Sequence, residues 1–314
     1  MTEQAGQGGR LRHLLSLDGL PGTTIERLLD RAQALLPHAH AGTGLRGTLA
    51  GRTVCTLFFE PSTRTRSSFQ LAATRLGADV LDFNASSSSS RKGESDADTL
   101  RTLEAMGVRG FVVRHSRDGA VADLAAVAGE GTALVNAGDG RHAHPTQGLL
   151  DMLTLRQAKG ASFAGLKVLI VGDVKHSRVA RSDLHALRAL GAGEIRVCGP
   201  WSLLPEPAVT RGCTVTTDLD AALEGVDAVM TLRLQRERME SGLVASLEDY
   251  HRDYGLTATR LQRAAADAIV MHPGPMNRGV EIDADVADGP QSRILSQVAN
   301  GVAVRMAVLE ELLA

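Results

Sequence analysis

A chain of 314 residues with 43% hydrophobic content can bury a sizeable core, and its length favours two domains over one. Its formal net charge of −2 gives no general attraction to nucleic acid or to a membrane surface, so each concentration of arginine has to be judged locally. The three cysteines, Cys55, Cys198 and Cys213, lie far apart without a Cys-x-x-Cys pair, which argues against a disulfide scaffold and a structural zinc site and suits a reducing, cytoplasmic setting.

No apolar run approaches the roughly 18 to 20 residues needed to span a bilayer. The start, Met1 to Gly9, is polar and glycine-rich, has no signal-peptide core and reads as a loose tail. Thr23-Thr24-Ile25-Glu26 has capping-box spacing, and Ile25, Leu28, Leu29, Ala32, Leu35 and Leu36 share one face, which predicts a first helix closed near Pro37.

The next stretch organises the rest. Thr53 to Phe59 is short, β-branched and aromatic, as in a buried parallel strand, and Pro61 stops it. Phe69, Ala72, Ala73 and Leu76 then recur at helical spacing until Gly77. Between strand and helix stands Ser62-Thr63-Arg64-Thr65-Arg66. A helix start offers unpaired N–H groups and a partial positive charge, so these hydroxyls and guanidiniums would surround an anion, most naturally a phosphate. The plainer reading, a capped helix with solvated arginines, weighs about equally for such a motif alone.

A second strand, Val80 to Phe83, leads into a serine run ending in Arg91-Lys92-Gly93. By composition this is a linker; within a strand and helix alternation it reads better as a mobile active-site loop carrying Lys92. A helix from Ser95 to Met106, capped by Ser95, precedes a strand, Gly110 to Val113, which delivers Arg114 and His115. A helix, Ala120 to Ala128, and a strand, Ala133 to Asn136, lead to Gly138-Asp139-Gly140-Arg141-His142-Ala143-His144-Pro145-Thr146-Gln147, with Pro145 fitted to a first helical position. Three strand ends thus carry Ser62 to Thr65, Arg114 and His144, and open parallel α/β sheets bind ligands outside those ends.

The second half repeats the alternation. Lys167 to Val171 is a strand, Gly172-Asp173-Val174-Lys175-His176-Ser177-Arg178 a turn and Val179 to Leu190 a helix. The later glycines of a dinucleotide fingerprint are missing after Gly172. Strands recur at Glu194–Cys198, Cys213–Thr216, Ala228–Leu232 and Ala268–Met271. The last two lead to Arg233-Leu234-Gln235 and His272-Pro273-Gly274-Pro275. The last helix, Arg293 to Leu313, presents Ile294, Leu295, Val298, Val302, Met306, Leu309 and Leu313 as an apolar face. The fold class is therefore α/β, with two doubly wound parallel-sheet domains and a closing helix that returns to the first.

Ser62-Thr63-Arg64-Thr65-Arg66, His144-Pro145-Thr146-Gln147, Arg178 after a Gly-Asp turn, Arg233-x-Gln235 and His272-Pro273-Gly274-Pro275, in that order, resemble the aspartate carbamoyltransferases from about Arg12 onward. The Ser-Met-Gly and His-Cys-Leu-Pro stretches of the ornithine sibling are missing, and the ammonium of ornithine would meet Arg233 with the wrong sign. The family usually has leucine where Gly274 stands, the His-Pro-Gly-Pro form being a variant of many bacterial members.

The resemblance implies a carbamoyl phosphate domain at 10–146, completed by helix 293–314, and an aspartate domain at 147–292. It implies that Ser62, Thr63, Arg64, Thr65 and Arg114 bind phosphate and carbonyl oxygens; that Arg64, Thr65 and His144 polarise the carbamoyl oxygen; and that Gln147 with the Gly274 and Pro275 backbone holds the carbamoyl group. Arg178, Arg233 and Gln235 would take the aspartate carboxylates. Ser88 and Lys92 would reach a neighbouring subunit's site, making a homotrimer the minimum unit. It implies no metal or organic cofactor, no nucleic acid and no membrane. Higher assembly with regulatory or dihydroorotase-like chains stays open, as do a catalytically silent assembly subunit and a transcarbamylase for another amine such as ornithine.

Overall fold

The computed structural model describes residues 4, 10–41, 45, 47–84, 94–234 and 246–314. The chain divides into two compact units, Met1–Leu150 with Ala299–Ala314, and Asp151–Val298.

The first unit contains α1 (Gly22–Ala41), β1 (Thr53–Phe58), α2 (Thr63–Arg75), β2 (Asp79–Asn84), α3 (Asp96–Ala105), β3 (Gly110–His115), α4 (Ala120–Val127) and β4 (Ala133–Asp139). The four strands form one sheet in the order β2-β1-β3-β4, and every pairing is parallel. Fully parallel sheets are covered on both faces, which is why β1, β3 and β4 are almost continuously buried and read as apolar runs. Leu15, Cys55, Leu57, Leu100, Phe111, Val113, Val121 and Leu134 pack together on one side of this sheet. Burial pushes the Cys55 thiol up to about 12, so it behaves as a small core hydrophobe.

Helix α5 (Pro145–Lys159) contains the chain division between Leu150 and Asp151. The second unit then runs through β5 (Lys167–Val171), α6 (Arg178–Ala189), β6 (Glu194–Cys198), β7 (Thr214–Thr216), α7 (Leu219–Leu223), β8 (Ala228–Thr231), α8 (Leu247–Tyr254), α9 (Ala258–Leu261), β9 (Ile269–Met271) and α10 (Ala284–Ala287). Its sheet has the order β7-β6-β5-β8-β9 and is again parallel throughout. The order reverses direction beside β5, so the ends of β5 and β8 flank a topological switch point.

The closing helix α11 (Ile294–Leu313) contributes its last turns to the first unit. There Arg27 and Arg31 pair with Glu311 and Glu310, and Arg10 donates to the carbonyls of Glu311 and Ala314. Leu313 lies over β3, where a Cβ at Gly110 would come within 2.7 Å of its Cδ1 and 3.3 Å of Val54 Cγ2.

Three expectations need correction. Helix α1 begins at Gly22, and the Pro21 carbonyl already accepts from Thr24 and Ile25, so Thr23 lies inside the first turn and forms no capping box. Pro37 does not close this helix, which continues to Ala41; Pro37 and Gln33, whose carbonyl loses its helical donor, both face solvent, where water can serve that group. On α11, Leu295 and Val298 are 82% and 58% exposed, because the helix turns a different stripe inward, Ile294 and Gln297.

Gly110→Ala is expected to destabilise the first unit by about 1 to 3 kcal/mol through overpacking against Leu313. Leu313→Ala should recover part of that loss, so a double-mutant cycle by chemical denaturation reads a favourable coupling; strict additivity would count against this contact.

Candidate active site

At the end of β1 the chain turns through Glu60 and Pro61 into α2. Ser62 is the N-cap in an extended conformation, yet its side chain makes no capping hydrogen bond. The contrast within the chain is direct: Ser95, Ser177, Asp218, Ser246 and Thr257 each accept from the backbone N–H three residues on. The Ser62 hydroxyl is therefore not spent on its helix. Thr63 and Arg64 are exposed and Thr65 is buried, its carbonyl accepting from Ser68 Oγ at 2.9 Å. Arg66 points elsewhere, lying 5.0 Å over the Phe58 ring and 3.5 Å from Asp82.

Arg114 lies within β3, one residue from its end, and is buried. Its Nη2 donates to Glu60 Oε1 at 2.9 Å and its Nη1 to the Ala137 carbonyl at 3.1 Å. That carbonyl is available because the β3–β4 register slips: Val113 pairs with Asn136 but His115 pairs with Asp139, so β4 carries one extra residue. Arg114 thus occupies the gap that the bulge creates. His115 beside it packs on Phe59, with ring centroids 5.1 Å apart, and reaches Asp96 Oδ2 at 3.2 Å.

The loop after β4 is built on Asp139, which is wholly buried. Its carboxylate accepts from Gly119 N at 2.9 Å, Asn136 Nδ2 at 2.8 Å and Ala143 N at 3.1 Å, and meets His142 Nδ1 at 3.1 Å. Burial opposes the charge, but these donors outweigh it and hold the carboxyl below its ordinary value. The consequence is a fixed start for α5: the His144 carbonyl accepts from Gln147 N at 2.9 Å and Gly148 N at 3.2 Å, with Pro145 as first helical residue. His144 and Gln147 are both buried.

In the second unit Arg178 is the first residue of α6, 5% exposed, after a turn in which Asp173 Oδ1 meets His176 Nδ1 at 2.8 Å. Arg233 is half-buried, two residues past β8. After β9, Gly274 has φ +65°, a conformation that favours glycine, and the Gly274–Pro275 peptide is cis.

The structure therefore gathers Ser62 to Thr65, Arg114, His144 and Gln147 at the carboxyl edge of one sheet, and Arg178, Arg233, Gly274 and Pro275 at that of the other. Ser88, Lys92 and Gln235 lie outside the described residues. Sequence reasoning passed over Glu60 and Asp139; the first was visible only as a neighbour of Ser62, and the second as the acid of Gly-Asp-Gly. Among the described residues no group of three or more His, Cys, Asp or Glu could hold a metal ion, and no helix is long and apolar enough to cross a membrane.

Comparison with known proteins decides the family. Residues 12–157 match the carbamoyl-P binding domain of aspartate/ornithine carbamoyltransferase, and residues 164–312 match its Asp/Orn binding domain. The chain belongs to the aspartate/ornithine carbamoyltransferase family. It is 72% identical over 312 residues, 99% of each chain, to the aspartate carbamoyltransferase catalytic subunit of Xanthomonas axonopodis pv. citri. It is also 72% identical, over 313 residues and 99% of each chain, to that of Stenotrophomonas maltophilia. Among solved structures, aspartate transcarbamoylase from Trypanosoma cruzi in complex with carbamoyl phosphate and aspartate superposes with a TM-score of 0.85 at 34% identity, covering 96% of this chain and 97% of that one. Ornithine carbamoyltransferase from Thermus thermophilus gives 0.85 at 28% identity, covering 96% and 99%.

Asp139→Asn should destabilise the first unit at pH 7 by about 1.5 to 3 kcal/mol, the usual worth of hydrogen bonds to a charged group. Because the folded carboxyl titrates below its unfolded value, this contribution is present above about pH 4 and is lost as pH falls through the folded value. Denaturation of wild type and variant at pH 7 and near pH 3.5 should thus show a shrinking gap; a constant gap would mean that Asp139 is not held by its donors.

Proposed function

We propose that this chain transfers the carbamoyl group of carbamoyl phosphate to the amine of L-aspartate, giving N-carbamoyl-L-aspartate and phosphate, the committed step of pyrimidine synthesis. The observation that carries the reading is the 72% identity, along 99% of each chain, to catalytic subunits named for aspartate. Arg233 just past β8 supports the same acceptor, since a guanidinium suits a second carboxylate and opposes an ornithine ammonium.

On this reading the first unit binds carbamoyl phosphate. Ser62, Thr63, Arg64 and Thr65 at the start of α2, with Arg114, take the phosphate, where hydroxyls, backbone N–H groups and the helix dipole all favour an anion. Arg64, Thr65 and His144 donate to the carbamoyl oxygen, on which negative charge grows during attack; Gln147 and the backbone at Gly274 and Pro275 hold the carbamoyl NH₂. Arg178 and Arg233, with Gln235, take the two carboxylates of aspartate and aim its amine. The amine lone pair forms the C–N bond, the carbon–oxygen bond to phosphate breaks, and the departing phosphate accepts the amine proton. Carbamoyl phosphate is already activated, so the protein supplies orientation and charge stabilisation. Ser88 and Lys92 act in a neighbouring subunit's site within a cytoplasmic homotrimer.

Purified chain given carbamoyl phosphate should form a ureido product with aspartate and not with ornithine; product with ornithine would overturn the acceptor assignment, and no product with either would favour a silent subunit. Arg233→Ala is expected to raise the KM for aspartate far more than that for carbamoyl phosphate. His144→Ala should lower kcat by roughly 10² to 10³. Lys92→Gln trimers mixed with His144→Ala trimers should regain activity after subunit exchange; exchange without recovery would refute a shared site.

A further inference from the structure

Behind the His272-Pro273-Gly274-Pro275 segment, the second unit buries a line of polar side chains that takes no part in the reaction as described above. His272 is fully enclosed, and three of its groups are engaged. Its Nδ1 accepts from Gly274 N at 2.7 Å, so Nε2 carries the proton and donates to Glu281 Oε1 at 3.2 Å. Its backbone N–H donates to Gln297 Oε1 at 2.9 Å, and Gln297 Nε2 donates to Asp151 Oδ1 at 2.7 Å. Asp151, Asp183 and Gln297 are all buried, and Asp183 lies near enough to Asp151 to feel its charge.

The donors and acceptors in this line can be arranged in one way. A backbone N–H only donates, so the Gln297 oxygen must face His272 and its NH₂ must face Asp151. The Asp151 oxygen that receives this NH₂ must be unprotonated. Burial, with the Asp151 charge beside it, pushes the Asp183 carboxyl well up. The amide of Gln297 cannot flip without placing two donors against each other at His272 and two acceptors against each other at Asp151.

From this geometry we infer that Gln297, locked by Asp151, is a positioning residue that fixes His272 and through it the backbone of Gly274 and Pro275. The inference rests on the role given above to that backbone, but its structural half can be tested without it.

Two measurements on the full-length protein separate the cases. Hydrogen exchange followed by mass spectrometry should show the Gly274 amide, which Gln297 does not touch, exchanging at least about tenfold faster in Gln297→Met, while amides of β5 keep their wild-type rates. In the transfer assay the same variant should lose kcat by about 10²-fold, the scale of a misplacement near 1 Å. Its affinity for inorganic phosphate, measured by calorimetry, should stay within about twofold, because the phosphate ligands lie on the other unit. Asp151→Asn keeps an oxygen toward Gln297 and should stay close to wild type in both assays. Should Gln297→Met not fold, Gln297→Asn breaks the same two contacts and is read in the same way. Unchanged exchange at Gly274 overturns the inference, and so does faster exchange with kcat intact in a wild type that transfers to aspartate. A wild type without transfer would instead sink the functional reading, leaving the exchange result to judge the relay.

Discussion

In a fully parallel sheet every strand runs in the same direction, so whatever follows each strand is delivered to one edge. Both sheets here obey that constraint without exception. It makes neighbours of residues as far apart in sequence as Ser62, Arg114 and His144, and separately of Arg178, Arg233 and Gly274. No special long-range contact is needed to bring them near each other; hydrophobic strands of β-branched residues suffice. What the edge then requires is that its donors not be consumed by the fold. Other serine and threonine caps in the chain are consumed, each satisfying an orphan N–H of its own helix. Among the described helices Ser62 is not, and it stands beside Arg64 and Arg66.

Holding such donors in place falls to acids, of which Asp139, Asp173 and Glu281 are buried and Glu60 half-buried. Glu60 orients Arg114 in the gap opened by the β3–β4 bulge, and Asp139 gathers donors from three stretches of chain to shape the approach to His144. In the second unit Asp173 does the same for His176 beside Arg178, and Glu281 for His272. In each case a carboxylate braces a residue expected to meet substrate or a neighbour of one. An enclosed carboxylate with several fixed donors cannot swing away without losing all of them, which gives rigidity to loops that would otherwise have little apolar surface to hold them.

How far this was legible in the sequence depended on the range of the interaction. Local physics was visible: the apolar runs at Val54, Phe111 and Val168 are strands, Ser95 caps α3 by accepting from Asp98, and Pro145 opens α5. The fold class and the strand-end motifs follow from those alone. Arg114 was expected just after its strand and lies within it, because strand length is set by pairing with β1 and β4 and not by β3's own apolar residues. Pro37 misled because a proline breaks a helix only where the carbonyl it abandons cannot be served, and at an exposed turn it can. Gln297 was invisible for a different reason: its partner Asp151 lies 146 residues away, and nothing in a neighbouring residue announces it.

Helix α11 shows why such residues persist. Residues 303–309 are buried on every side, so amphipathic patterning has nothing to say about their rotation. An apolar cylinder in an apolar environment could turn or slide at small cost, since most Leu, Val and Ala contacts can be exchanged for similar ones. Gln297, Asn300 and Arg305 remove that freedom. Each carries polar atoms that burial makes expensive to leave unpaired, and turning the helix would take Gln297 from between Asp151 and His272 and Arg305 from over the Phe69 ring, 5.0 Å away. The same polar side chains that fix the register of this helix also reach the backs of the two edges, Gln297 behind Gly274 and Arg305 against α2, whose first turn carries Arg64. Specifying the fold and specifying the site are therefore one task for α11, and a substitution that relaxed the first would loosen the second.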